Sequence, residues 1–314
     1  MTRPGDRPDA SSDSTDSSDA EGSGSDGVDR SAVDPADAFA ALSDPTRVDI
    51  LRELTVHRRE TGEAVAGFAD LRRRVGVRDS GRFRYHLNEL RDQFVAKAEG
   101  GYRLTTAGRQ VVAGVLAGTY TERVSMGPVE LDSECSTCGA PAVARYEDRA
   151  CAVACENGHR LFQWNVPPNA TEGATLPAVV DLAELLAVQA VERAVAGVCP
   201  TCCDPLEPAV AVGGDGAQPR FRAVCDACGG RVVGPVTFCL LVDPRVAAFF
   251  RRHDRRLRDE HLWELPFVAD ESAVTVADDD PVRVDVAVAL DGETLAVTVD
   301  ETGGVDVASG PDGG

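Results

Sequence analysis

From Asp34 onward, apolar residues recur at helical spacing. In DPADAFAALSDPTRVDILREL, Phe39, Leu42, Val48, Ile50 and Leu51 lie on helical stripes. Asp44-Pro45 marks a break and restart, with Asp44 as N-cap. GFADLRRRVGV predicts a second, short helix with Phe68, Leu71 and Val75 turned inward, and RDSG a turn. In SGRFRYHLNELR, Phe83, Leu87, Leu90 and Phe94 recur at intervals of four, three and four, which gives a third helix one continuous apolar face. FVAKAEGGYRLT reads as a strand, a hairpin at Gly100-Gly101 and a second strand. A further helix, capped near Thr106, closes residues 34–124.

After a short link from Ser125 to Leu131, the pattern predicts a cysteine-rich module over 132–170 and a linking helix over 176–197. A second cysteine-rich module spans 198–242, and a helix runs from about Pro244 to Glu260. Alternating apolar and polar residues, with Asp291-Gly292 at a turn, predict that 243–314 ends in a small antiparallel β unit. Residues 1–33 are Ser, Asp and Gly with almost no large apolar side chain. Such a segment cannot offset its chain entropy by burial and is read as a disordered tail. The fold class expected is α+β.

Three helices, a two-stranded wing and a final helix make a winged helix-turn-helix. AFAALSDPTRVDILREL, SGRFRYHLNEL and GYRLTTAG, in that order, resemble the ArsR-type winged-helix transcriptional regulators of haloarchaea across about residues 36–122. The resemblance implies a DNA-binding, homodimeric transcription regulator whose third helix reads the major groove. No cysteine falls in this segment, so the ligand motif of the metal-sensing members is absent. The remainder is similar to a group of haloarchaeal regulators with the same layout, which implies an architecture and no mechanism.

Composition changes this picture in two places. The 314 residues can form two or three compact units. Acids outnumber bases 52 to 32, and Lys97 is the sole lysine. This balance resembles that of proteins from salt-loving archaea, in which surface acidity keeps the molecule hydrated in concentrated salt rather than pointing to a partner. The charge is unevenly spread: residues 36–125 carry 15 basic and 12 acidic side chains, while 126–314 carry 14 and 31. Of the segments 1–35, 36–125 and 126–314, only the one that holds the expected DNA-binding domain has a positive balance.

On the third helix the apolar face leaves Ser80, Arg82, Arg84, Tyr85, His86 and Asn88 on or beside the outward side. Arg can give a bidentate contact to guanine, Asn to adenine, and Tyr or His a bond to phosphate. The helix N-terminus would add partial positive charge. Arg72, Arg73 and Arg74 before it, and Lys97 and Arg103 on the wing, sit where the resembled family touches the DNA backbone. The bland alternatives are a solvated helix face or a winged helix that binds protein.

Ten cysteines in a chain with no secretory signal and no long uncharged apolar stretch imply a cytoplasmic protein that uses them for metal rather than disulfides. Cys135 and Cys138, followed after a hairpin-length gap by Cys155 and His159, have the zinc-ribbon spacing, with two strands around a Glu147-Asp148 turn. Cys151 competes with His159 for the fourth position; His159 follows Asn157-Gly158 in knuckle geometry and is preferred. Cys199, Cys202, Cys225 and Cys228 form a second four-ligand set. Cys203 and Cys239 are left over, and small buried apolar residues are the simple reading for them.

Each set offers four ligands, so two structural zinc ions are expected and no catalytic one. No H-E-x-x-H, deaminase, nucleophile-elbow or phosphate-loop motif occurs, and the chain is expected not to be an enzyme. Trp164, Trp263 and Phe267 read as packing residues or the wall of a ligand cavity. A second function class is a general transcription factor, because a winged helix plus zinc ribbon also resembles the archaeal relative of transcription factor E, which binds polymerase and promoter.

Overall fold

The structure, a computed structural model, describes residues 33–213 and 218–307. The tail reading for 1–33 falls, but for Val33, outside the described residues. The chain divides into two compact units, Met1–Thr105 and Thr106–Gly314. It is a mixed α/β protein with small antiparallel sheets.

The first unit follows the sequence pattern closely. Helix α1 (Pro35–Ala40) stops four residues short of the predicted break and leaves Leu42 in a turn, and α2 (Pro45–Thr61) restarts as expected with the Asp44 carboxylate accepting the Thr46 N–H at 2.8 Å. Arg47, 8% exposed, donates to the carbonyls of Ala40 and Ala41 and so ties the end of α1 to α2. Helices α3 (Phe68–Arg74) and α4 (Ser80–Leu90) follow, then β1 (Val95–Ala98) and β2 (Gly101–Leu104). Leu54, Leu71, Phe83, Leu87 and Leu90 close the core between them.

The hairpin turn is Glu99-Gly100, one residue earlier than expected, because Ala98 pairs with Gly101. Gly101 is required for another reason. Ala66, just before α3, exchanges both backbone hydrogen bonds with Tyr102, at 2.9 and 3.0 Å, and a Cβ on Gly101 would lie 2.1 Å from the Ala66 carbonyl oxygen.

The second unit opens with α5 (Thr106–Leu116). A four-stranded antiparallel sheet follows: β3 (Met126–Glu134), β4 (Pro141–Glu147), β5 (Ala150–Cys155) and β6 (Arg160–Asn165), paired in chain order. Much of the expected link from Ser125 to Leu131 is thus strand. The β4–β5 turn is Asp148-Arg149, both in the left-handed region at φ 47° and 67°. Helix α6 (Leu176–Val195) carries a face of small residues, among them Ala183, Ala187, Ala190 and Ala194, all buried. Small side chains let it lie close to the first sheet and to β9 (Arg231–Pro235) of the second.

That second sheet is β7 (Pro208–Ala211), β8 (Arg220–Val224) and β9, and it runs into a buried 3-10 helix, Val236–Val242. Helix α7 (Pro244–Arg252) is eight residues shorter than predicted. Asp254, at φ 55°, turns the chain back, and Arg255 N–H bonds to the Phe250 carbonyl. The short α8 (Pro266–Ala269) leads to the sheet β10 (Val274–Asp279), β11 (Val282–Leu290), β12 (Glu293–Asp300) and β13 (Val305–Val307), with the predicted turn at Asp291-Gly292. One continuous core joins both cysteine-bearing sheets, α6, α7 and the last sheet. Among the described residues no helix is long and apolar enough to cross a membrane.

Candidate metal centres and candidate nucleic-acid interface

The first cysteine group is assembled by two turns. Between β3 and β4 the Cys135 carbonyl accepts from Cys138 and Gly139 N–H, with Gly139 at φ 69°. Between β5 and β6 the Cys155 carbonyl accepts from Gly158 N–H, and Gly158, at φ 83°, turns His159 back toward the cysteines. The Cys138 and Cys155 sulfurs lie 3.8 Å apart, and His159 Nδ1 is 3.5 Å from the sulfurs of both Cys135 and Cys155. A tetrahedron with edges of this length has its corners about 2.1–2.3 Å from its centre, room for one metal ion among the four donors. Asn157 donates its amide N–H to Cys138 Sγ at 3.3 Å, the main reason that this thiol is drawn down to about 6.

Cys151 is the second residue of β5, fully buried, and burial pushes its thiol up to about 11. It takes no part in the group, and His159 is the fourth donor.

The second group repeats the design. Cys199 and Cys228 sulfurs are 3.6 Å apart, as are those of Cys202 and Cys225. The Cys225 carbonyl accepts from Gly229 N–H, with Gly229 at φ 70°. In the partner turn the equivalent bond runs from Cys203 N–H to the Cys199 carbonyl, and Cys203 holds φ 68°. Cys203 thus occupies the left-handed position that glycine fills in the other turns. Arg193 of α6 donates to the carbonyls of Cys199 and Pro200 and, at 3.0 Å, to Cys203 Sγ. Backbone N–H groups, chiefly that of Cys202, bring the Cys199 thiol to about 6. Cys239 is remote from both groups and buried, its thiol pushed up to about 12 by burial.

Each four-residue group could hold one metal ion. A third group, Asp181, Glu184 and His261, is of another kind. Glu184 already accepts from Leu262 N–H at 2.8 Å and pairs with His261 Nδ1 at 3.1 Å, while His261 stacks on Trp263 at 4.4 Å. Glu184 and His261 are engaged with each other, and they join α6 to the segment before α8. Trp263 and Phe267 are buried core residues, 3% and 1% exposed; Trp164 is half-buried.

On α4, one side buries Phe83, His86, Leu87 and Leu90, and the other exposes Ser80, Arg82, Arg84, Tyr85 and Asn88. His86 is a correction to the expected outward set. It is 5% exposed, lies edge-on to Tyr85 and faces Asp44 at 3.8 Å, so its imidazole is a core group of the α2–α4 packing. Its position, three residues after Phe83 and four before Leu90, carried that signal. The N-terminus of α4 is also less open to a phosphate than expected, because Asp79 caps it and accepts the Arg82 N–H at 2.5 Å.

The α3 arginines differ among themselves. Arg72 closes the end of α3 by donating to the Val77 and Arg78 carbonyls. Arg74 is held by Asp70 at 3.1 Å and Glu60 at 2.9 Å, an internal bridge between α3 and α2. Arg73 is exposed but lies 3.1 Å from Asp70. Arg78, which sequence reasoning passed over, is exposed beside the start of α4 and helps line a shallow depression with Arg72, Arg73 and Val77. Arg84 lies over the Phe68 ring at 5.5 Å. Lys97 and Arg103 are both exposed, but Lys97 stands opposite Tyr102 and Arg103 opposite Ala96, so they project from opposite faces of the hairpin.

The class so far is an α/β protein with two four-donor cysteine cages. Residues 132–305, more than half of the chain, match the family described as Domain of unknown function (DUF7351), and the chain belongs to that family. Residues 35–115 match a second, Domain of unknown function (DUF7347). No curated protein and no solved structure matches the chain.

Proposed function

We propose that this chain is a DNA-binding transcription regulator, not an enzyme. In this reading the first unit is a winged helix-turn-helix, and α4 enters the major groove with Arg82, Arg84 and Asn88 toward base edges. The observation that carries it is the two-sidedness of α4, which sets an apolar side in the core against an exposed side of arginines, tyrosine and asparagine. This face belongs to residues 36–125, where bases outnumber acids 15 to 12, whereas 126–314 as a whole is strongly acidic. Tyr85 and Arg78 reach phosphates, and Lys97 or Arg103 does so from whichever wing face meets the duplex. The ArsR-type resemblance supports a cytoplasmic homodimer.

The two cages take zinc. Three thiolates with an imidazole, and four thiolates, are its usual structural donor sets, and the interatomic distances suit its bond lengths. Bound there, the ion supplies folding energy to small sheets that close little core of their own. The chain's own residues set the donors: Asn157 favours the thiolate of Cys138, backbone N–H groups favour that of Cys199, and Gly158 aims His159. The second unit then serves as an effector or assembly region.

The test is selection of genomic fragments by the metal-loaded protein in concentrated potassium chloride, followed by occupancy mapping in cells. Discrete peaks sharing a sequence, lost on changing Arg82, Arg84 and Asn88 together to Ala, are the expected result. Occupancy at most promoters would instead mark a general transcription factor, and no retained fragment would end the reading.

A further inference from the structure

The second unit is strongly acidic, yet six of the 14 bases of residues 126–314 fall between 244 and 260. Five of these are exposed: Arg245, which pairs with Asp243 and Asp306, and Arg251, Arg252, Arg256 and Arg258. Among the described residues no carboxylate lies within ion-pair distance of any of the last four, in a unit where carboxylates abound.

The scaffold under them is firmly built. His253 faces Asp291 at 3.1 Å and Glu293 at 3.6 Å and packs edge-on against Phe249. Arg255 lies over Phe250 and pairs with Glu260. The chain reversal is fixed by the Asp254 N–H to the Arg251 carbonyl and the Asp259 N–H to the Arg256 carbonyl. Cations in the last turn favour the helix dipole, which accounts for Arg251 and Arg252 but not for Arg256 and Arg258 beyond the helix.

We propose that these four arginines form a second polyanion-binding surface, which takes the phosphate backbone of a DNA duplex without reading its sequence. The choice of a duplex rests on the DNA-binding reading of the first unit; the anion-binding character rests on the arginines. A membrane fits poorly, because none of the exposed large apolar side chains lies in this segment. Arginine is suited to phosphate, since the guanidinium fork makes two directed hydrogen bonds where lysine offers a point charge. In concentrated salt the distant acids of the unit are screened within about 3 Å, so direct contacts of this kind decide binding.

The test uses the full, metal-loaded chain in three forms: unchanged, R251Q/R252Q/R256Q/R258Q, and R82A/R84A/N88A. Anisotropy titrations against a selected and a random-sequence duplex, over a range of salt, give affinity and salt slope. The four-arginine variant is expected to lose affinity for both duplexes by the same factor, and its log–log slope should fall by about two to four, near one for each phosphate that the variant no longer neutralises. Its sequence preference should be unchanged. Metal content and circular dichroism certify the fold, and the pair R256Q/R258Q should give about half the slope change.

If the unchanged protein binds duplex and the four-arginine variant keeps both affinity and slope, the proposal fails while the groove reading stands. If R82A/R84A/N88A keeps its sequence preference while the four-arginine variant loses slope, the groove reading fails and this surface stands. Release of anionic vesicles by the four-arginine variant, with duplex binding intact, would overturn the duplex in favour of a membrane.

Discussion

The indole N–H of Trp263 donates to Ser133 Oγ at 2.8 Å across 130 residues of chain, and Ser133 in turn donates to Glu264 at 2.6 Å. Ser133 lies on β3, two residues before the first metal-type cysteine, so this buried relay ties the first cage to the segment before α8. Ser133→Ala leaves a buried indole N–H without an acceptor. The expected loss is about 1–3 kcal/mol of stability, read from denaturant midpoints. Ser133→Thr, which keeps the hydroxyl, should lose less.

Gly101 stands where a side chain would meet the Ala66 backbone. Gly101→Ala should therefore destabilise the first unit by about 1–3 kcal/mol, with the hairpin opening first. Amide exchange at Tyr102 and Ala66 would show the loss of that bridge. Gly100→Ala is a useful contrast, since its Cβ would enter open space and only the φ of 84° opposes it.

The hydrogen bond to Glu184 raises the pKa of His261 above its ordinary value. A group raised on folding contributes its full stability below its unfolded pKa, about 6.5, and loses that contribution as pH rises through the folded value. Unfolding scans should accordingly show a stability contribution present at pH 6 that fades above it, and His261→Gln should lack the fading component. Comparison with the variant removes the opposite trend from thiol deprotonation at the metal cages, where lower pH weakens binding.

Two equivalents of zinc per chain are expected, and a strong chelator should unfold the second unit. Cys228→Ser should lower the stoichiometry to about one, while Cys203→Ser and Cys151→Ala should leave it at two. His159→Cys should retain the ion, because a thiolate is an equally good fourth donor. Elemental analysis with circular dichroism reads each outcome.

The metal-type donors were legible because short spacings and turn glycines are local features, and all eight predicted side chains meet in two groups of four. Helices α2, α3 and α4 and the hairpin of the first unit were legible from another local feature, the spacing of their apolar residues. Strand β3 was not: most of its side chains are exposed, so no apolar alternation marks it. Helix α7 ends at Arg252, two residues past its last apolar side chain, Phe250, and the arginine-rich continuation has helix propensity but only Leu257 to bury. Arg74 could not be assigned from sequence, because its partner Glu60 lies 14 residues away on another helix. His86 could have been, since it falls on the apolar face.

Helix α6 touches both cysteine-bearing sheets, and its Arg193 grips the Cys199 turn directly. If each four-donor group takes an ion, capture at one site would steady a helix that the other site also leans on. Loading should therefore be concerted: at half saturation, molecules holding two ions or none should outnumber those holding one.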